Sequence, residues 1–300
     1  MAALTKLNDT IRRRFLPNVS PLGLLGLVSI LAITILAVCA PWIVPYDPWQ
    51  IIPTQRLVPP FWMENGSTAH LLGTDNLGRD MLSRLIYGAR VSLLVGIVSI
   101  LIAGAIGLLL GLVSGYFGGW IDAVTMRVVD AMLAIPTLLL VLVAMVVLEA
   151  NLLTLILVIG LTSWVHYTRV VRGDVLGIKA REYVQSAQTL GASNFYIIRK
   201  HILPNVLSSF TVIATIGVGT AILTESSLSF LGFGVQPSII TWGSMLNDGR
   251  NYIATSWWIA TFPGIAITIT VLAFTFVGDW LRDYLDPRLK KGGDGGDETA

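Results

Sequence analysis

Six stretches of the chain, residues 22–44, 91–113, 128–148, 152–171, 206–231 and 257–277, are almost wholly apolar over about 20 residues or more. A helix rising 1.5 Å per residue needs about 20 apolar residues to cross a hydrocarbon layer about 30 Å thick. Backbone N–H and C=O groups find no water in that layer, so a span must be a helix or a strand of a closed barrel. Unbroken apolar runs lack the alternation a barrel strand requires. The predicted fold class is all-α: a polytopic membrane protein with six transmembrane helices. Composition agrees, with 54% hydrophobic and 13% charged residues against about 25% charged in soluble domains.

The first run follows Lys6, Arg12, Arg13 and Arg14, as a signal peptide would. Its apolar core far exceeds the roughly 7–15 residues of a signal peptide, and Pro41 follows the only small-residue site, Ala40. An uncleaved first span is expected. With the N-terminus inside, fifteen of the 20 Lys and Arg residues fall on the inner side, and only Arg56, Arg79, Arg84, Arg90 and Arg250 fall outside. Both termini and residues 172–205 are therefore predicted to be cytoplasmic. Trp42, Trp257 and Trp258 are expected at the outer interface, Trp120 and Trp280 at the inner one. The predicted layout is an inner N-terminus 1–21, a first span 22–44, a Pro-rich extracytoplasmic segment 45–88 and a five-helix core 89–279 containing loop 172–205. A cytoplasmic tail 280–300 completes it, its Gly/Asp-rich end at 292–300 expected to be disordered.

Several chemistries are excluded. No Gly-x-x-x-x-Gly-Lys-Ser/Thr phosphate loop occurs, so nucleotide hydrolysis belongs to another chain. His70, His166 and His201 are scattered and Cys39 is the single cysteine, which leaves no metal site and no internal disulfide. No nucleophile and base stand at a spacing that suggests an intramembrane protease. A net charge of +2 without a basic patch argues against a nucleic-acid partner.

Ionisable groups within spans point to function, because burial in lipid costs at least ~2.5 kcal/mol. Glu225, in the fifth span, is a candidate path or gate residue unless Thr224, Ser226 and Ser227 satisfy it locally. Asp130, near the inner end of the third span, is a second candidate and could pair with Arg127 three residues earlier. Gly107, Gly111 and Gly115 recur every four residues and predict close helix packing. Pro136 and Pro263 are expected to bend the third and sixth spans.

Residues 182–205, EYVQSAQTLGASNFYIIRKHILPN, break the apolar pattern. An amphipathic helix is predicted over 181–190, with Tyr183, Ala187 and Leu190 on one face. Gly191 ends it in a left-handed conformation, Ser193 caps a second short helix, and Pro204 marks entry to the fifth span. Glu182, Gln185, Gln188 and Thr189 make a polar face that is not basic, which suits a protein groove better than anionic lipid.

This stretch resembles the cytoplasmic EAA loop in membrane subunits of binding-protein-dependent ABC importers, and more narrowly the C-type subunit of the dipeptide/oligopeptide/nickel permease family. That pattern is Glu-Ala-Ala, three residues, Gly, nine residues, then Ile-x-Leu-Pro. Ala187, Gly191, Leu203 and Pro204 match, whereas Gln185, Ser186 and His201 stand in place of Glu, Ala and Ile. The substitution at Gln185 removes the acidic contact of the pattern's first residue. His70 to Asp80, Gly115 to Trp120 with Met126-Arg127 and Asp130, and Leu228 to Gly232 with Trp242-Gly243 also resemble family segments. So does the ending, Gly278-Asp279, Leu281-Arg282-Asp283 and Leu285-Asp286-Pro287, and all stand in the expected order.

The resemblance implies a type I ABC importer permease fold in a bacterial inner membrane and a transport subunit that is not an enzyme. It implies a homologous second permease subunit, two ABC ATPases that bind ATP and Mg, and an extracytoplasmic substrate-binding protein; this chain itself binds no cofactor. Glu182, Gln185, Ser186, Ala187, Gly191 and Pro204 become ATPase-coupling candidates. Gly73, Thr74, Asp75, Gly78, Arg79 and Asp80 become candidates for outer docking or gating, or for a loop folded over the spans. The expected cargo is a di- or oligopeptide, with nickel or glutathione as the runner-up. A proton-coupled secondary transporter using Glu225 and Asp130 is the rival from another class.

Overall fold

The structure, a computed structural model, describes residues 20–285. The expectations for the segment before Ser20 and for the tail after Leu285 lie outside the described residues. Within them the fold is helical, with one isolated bridge between Thr74 and Asp80. α1 (Pro21–Ile43) opens where the Ser20 hydroxyl accepts from Gly23 N at 3.0 Å, with proline in the first turn. α2 (Met81–Phe117) opens at Asp80, whose carboxylate accepts from Ser83 N at 2.7 Å. At 37 residues it runs roughly 55 Å, so part of it stands outside the bilayer.

Gly118 and Gly119 then turn the chain into α3 (Gly119–Leu133), followed by α4 (Thr137–Val147). α5 (Leu152–Lys179) is capped by Asn151, which accepts from Thr154 N at 2.8 Å. α6 (Glu182–Thr189) and α7 (Asn194–Ile197) follow, and α7 passes through a π turn (Ile198–Ile202) into α8 (Leu203–Phe230). α9 (Trp242–Gly249), opened by a capping box of Thr241 and Ser244, lies in what the sequence presents as an outer loop. α10 (Trp258–Leu285) ends the described chain.

Five elements are long and apolar enough to cross a membrane: α1, α2, α5, α7 with α8 as one rod, and α10. A sixth span exists only if α3 and α4 count together, and they are bent by 83°. The expected continuous helix over 128–148 is therefore corrected to a broken one. Pro136 disfavours helical geometry at Ile135 and has no N–H to give, so α3 stops at Leu133 and Pro136 caps α4 instead. Pro263 falls close to the start of α10, which continues through it. The second loop helix is likewise no separate element. Leu203 N bonds to Ile198 O, a wide turn that carries the helix past Pro204 without ending it.

α2 and α5 form the central pair. A Cβ added at Gly107, Gly111 or Gly115 would stand 2.3, 2.7 or 2.9 Å from the Cβ of Tyr167, Val171 or Val175 respectively. The glycine stripe is thus the surface on which α5 lies. One apolar cluster, including Met81, Val95, Leu155, Ile159, Ile222 and Ile259, joins α2, α5, α8 and α10. A second, with Leu112, Tyr116, Val171, Val175 and Ile178, gathers at the inner end. α1 leans on α10, where Gly23 meets Trp280 and Gly26 meets the Ala273 carbonyl.

Gly111→Leu should overpack the α2–α5 contact at a cost of about 1–3 kcal/mol or more. Thermal unfolding of the detergent-solubilised subunit should show a midpoint several degrees lower, and an unchanged midpoint would contradict this packing.

Candidate functional site

The inner loop is a small folded body. α6 buries Val184 fully and Ala187 partly against the second cluster, beside Ile197, Ile202 and Val206. Of the face expected to hold Tyr183, Ala187 and Leu190, only Ala187 is packed against the cluster. Val184 with Ala187 obeys the same helical spacing, and the position of α5 and α8 selects that pair. Tyr183 is exposed, Leu190 is 87% exposed and Phe195 is 72% exposed. They share the loop's exposed surface with Glu182, Gln185 and Ser186.

Gly191 has φ 81°, the left-handed geometry that L side chains adopt only with strain. Bonds from Leu190 N to Ser186 O at 3.0 Å and from Ala192 N to Ala187 O at 3.1 Å close that turn. Ser193 Oγ then accepts from Tyr196 N at 3.3 Å to start α7. One bond pins the loop to the spans, Tyr116 OH donating to Asn194 Oδ1 at 2.8 Å, while Lys179 Nζ at the end of α5 donates to Tyr116 O at 2.6 Å and ties α5 to α2 beside it. Pro204 stands apart, exposed in the first turn of α8.

The outer segment folds into a cap held by buried charge. Asp75 is fully buried and accepts from Arg79 Nε at 2.6 Å and from the Arg84 guanidinium. Arg79 Nη2 and Arg84 Nη2 also donate to Asp248 of α9, at 2.9 and 3.1 Å. His70 lies between Asp80 and Gln55, 2.9 Å from each. Trp258 is buried and donates from Nε1 to Thr74 O at 3.0 Å. This corrects its expected place in an interfacial aromatic belt, because the cap covers the start of α10. Gly73, Thr74, Asp75, Gly78 and Asp80 are buried and Arg79 is partly so. These residues build the cap itself, as a loop folded over the spans does.

The two candidate charges of the spans lie apart. Glu225 is fully buried, accepting from Ser229 Oγ at 2.7 Å and Ser226 Oγ at 3.3 Å. The Thr241 hydroxyl before α9 also reaches it. Thr224 and Ser227, expected as possible partners, donate instead to their own helix at Thr220 O and Leu223 O. Asp130 is exposed and pairs at 3.7 Å with Arg169, which replaces the expected Arg127. Nearby Arg172 Nη2 donates to Asp122 Oδ2 at 2.6 Å, so two ion pairs tie α3 to α5.

Between α5 and α8 runs a groove with two cavities, one of about 450 Å³ at the inner end beside Asp174, Arg181 and Arg282. The other, of about 340 Å³, lies midway along both helices beside His166. Sequence reasoning set His166 aside as one of three scattered histidines. Its signal was a lone imidazole inside a run otherwise fit for lipid.

The family model described as binding-protein-dependent transport system inner membrane component matches residues 107–291. The model for the N-terminal TM domain of oligopeptide transport permease C matches residues 9–60. The chain belongs to the binding-protein-dependent transport permease family. It is 43% identical over 269 residues to the dipeptide transport system permease protein DppC of Haemophilus influenzae, covering 90% of this chain and 91% of that one. It is 45% identical to DppC of Escherichia coli K12, with 90% of each covered. Identity to the glutathione transport system permease protein GsiD of Pectobacterium atrosepticum is 41%, covering 88% and 86%. In fold it is similar to a chain of the MetNI methionine ABC transporter solved in inward-facing conformations. That match has a TM-score of 0.58 at 22% identity, covering 69% of this chain and 98% of that one. The protein is thus a multi-pass inner-membrane transport subunit and not an enzyme. The family implies partner ATPases, a binding protein and a second permease.

Asp75→Asn should strand the buried Arg84 guanidinium and cost about 3–5 kcal/mol. Asp248→Asn, at a side chain 33% exposed, should cost clearly less. Membrane accumulation and thermal midpoints of the two variants check this ordering, which equal losses would contradict.

Proposed function

We propose that this chain is the C-type permease subunit of an ATP-driven importer of dipeptides. Its termini and loop 172–205 face the cytoplasm, and a homologous permease completes the path. The observation that carries the reading is the exposed face of α6, with Leu190 at its end, on a body buried against the spans through Val184, Ile197 and Ile202. That is the form of a lever: an accessible head on an immobile root. Two ATPases, binding ATP and Mg, would seat α6 in a groove, and their closure would rock the spans between inward-open and outward-open states. Swinging such an equilibrium from 1:99 to 99:1 takes about 5.5 kcal/mol. The peptide cargo is supported by the names of the DppC relatives. The glutathione permease at 41% identity makes glutathione, itself a small peptide, the second reading.

Glu225 joins α8 to the segment before α9 and is proposed to hold the outer gate. Asp130, paired with Arg169, is proposed to act at the inner mouth. The cap containing Gly73, Thr74, Asp75, Gly78, Arg79 and Asp80 is proposed to receive the binding protein on its outer surface.

In proteoliposomes holding the whole importer, uptake of a labelled dipeptide should stop when the partner ATPases cannot hydrolyse ATP. Uptake driven by a proton gradient alone would contradict the reading. Gly191→Pro replaces φ 81° with a residue fixed near −65°. It should leave the subunit in the membrane, weaken ATPase capture at least about tenfold and abolish uptake, and unchanged capture would remove the loop's role.

A further inference from the structure

The cavity of about 340 Å³ midway along α5 and α8 is lined by Ser163 and His166 on one wall and by Thr220 and Thr224 on the other. His166 is exposed, and among the described residues it has no hydrogen-bond partner. An unpartnered imidazole at membrane depth is costly against hydrocarbon and is tolerated where it meets water, a partner or cargo. On α8 Thr220 and Thr224 stand one turn apart on the cavity wall, the two hydroxyl-bearing residues there among the apolar Ile213, Ile216 and Ala221. The larger cavity is lined by the next turns of the same two helices, at Gly173, Asp174, Ser208 and Ser209.

The two walls differ in hydrogen-bonding sense. Thr220 Oγ1 donates to Ile216 O at 3.3 Å and Thr224 Oγ1 donates to Thr220 O at 2.9 Å. Their protons are committed to the helix, and what they present to the groove is lone pairs. Ser163 makes no such bond among the described residues, so its O–H, like the ring N–H of His166, is free to donate. One wall can only accept, whereas Ser163 and His166 on the other still hold free donors. A free dipeptide carries the matching pair of ends, an ammonium that only donates and a carboxylate that only accepts.

We infer that this groove is a transit site for the zwitterionic peptide, its carboxylate turned to His166 and Ser163 and its ammonium to Thr220 and Thr224. His166 is the specificity-determining contact. The assignment rests on the reading that the cargo is a free peptide, and it adds where in this chain, and in which orientation, that peptide is held.

The test uses the whole importer with its binding protein in proteoliposomes, radiolabelled alanyl-alanine as cargo, and the variants His166→Leu and His166→Gln. Losing one hydrogen bond to a charged group predicts uptake at least about tenfold lower in His166→Leu. ATP hydrolysis stimulated by the loaded binding protein should persist in that variant, and His166→Gln, which keeps a donor, should retain at least half of wild-type uptake. Wild-type uptake in His166→Leu, or an equal loss in both variants, overturns the transit site. Should His166→Leu fail to assemble, Thr224→Val reads the opposite wall: reduced uptake at normal assembly supports the site and unchanged uptake overturns it. A wild-type importer that moves no dipeptide overturns the substrate reading and the orientation with it, an outcome separate from those of the variants.

Discussion

At the inner end of the bundle, Val184, Ile197 and Ile202 of the loop are buried among Leu112, Tyr116, Val171, Val175 and Ile178 of α2 and α5. Everything else in the arrangement depends on that contact. At about 1.5–3 kcal/mol for each fully buried side chain, the three loop residues contribute roughly 5–9 kcal/mol, an upper estimate. That is at least comparable to the bias of about 5.5 kcal/mol needed to switch a two-state transporter. A push on α6 therefore moves the spans before it peels the loop away.

In the proposed coupling, close packing passes that push on. Gly107, Gly111 and Gly115 let α5 lie against α2 with side-chain Cβ atoms at the glycine surface, so the two helices behave as one body. α7, the π turn and α8 form one rod of 37 residues that runs from the loop toward the cap. At its far end Glu225 bonds to Ser229 and Ser226 and meets Thr241 at the threshold of α9. Asp248 on α9 in turn holds Arg79 and Arg84 of the cap. Loop, rod and cap are thus continuous through named contacts, and the groove beside α8 lies along that line.

Local properties of the chain were legible in advance. Apolar length gave five of the six expected spans, small-residue spacing gave a close-packing face on α2 though not its partner α5, and a glycine after a short amphipathic helix gave the left-handed turn at Gly191. What escaped depended on partners distant in sequence. Arg84 and Asp248 are separated by 164 positions, so nothing near Arg84 announces its second carboxylate. Both possible faces of α6 satisfy helical periodicity, and only the placement of α5 and α8 chooses Val184 over Leu190. Of the three hydroxyls expected to satisfy Glu225, Ser226 does so, while Thr224 and Ser227 spend their protons on their own helix and Ser229, one turn onward, makes the shorter bond. Pro136 announced a disturbance, but its size, an 83° break instead of a bend, rests on what α3 and α4 pack against.

The central claim is that a rigid inner lever is gripped from outside the chain. Accessibility of Leu190, now 87% exposed, reads this most directly. In a Cys39→Ser background, Leu190→Cys in the fully assembled importer should resist a water-soluble maleimide and crosslink to a partner ATPase subunit. Rapid labelling in the assembled complex, with and without ATP and with no crosslink, would contradict the account.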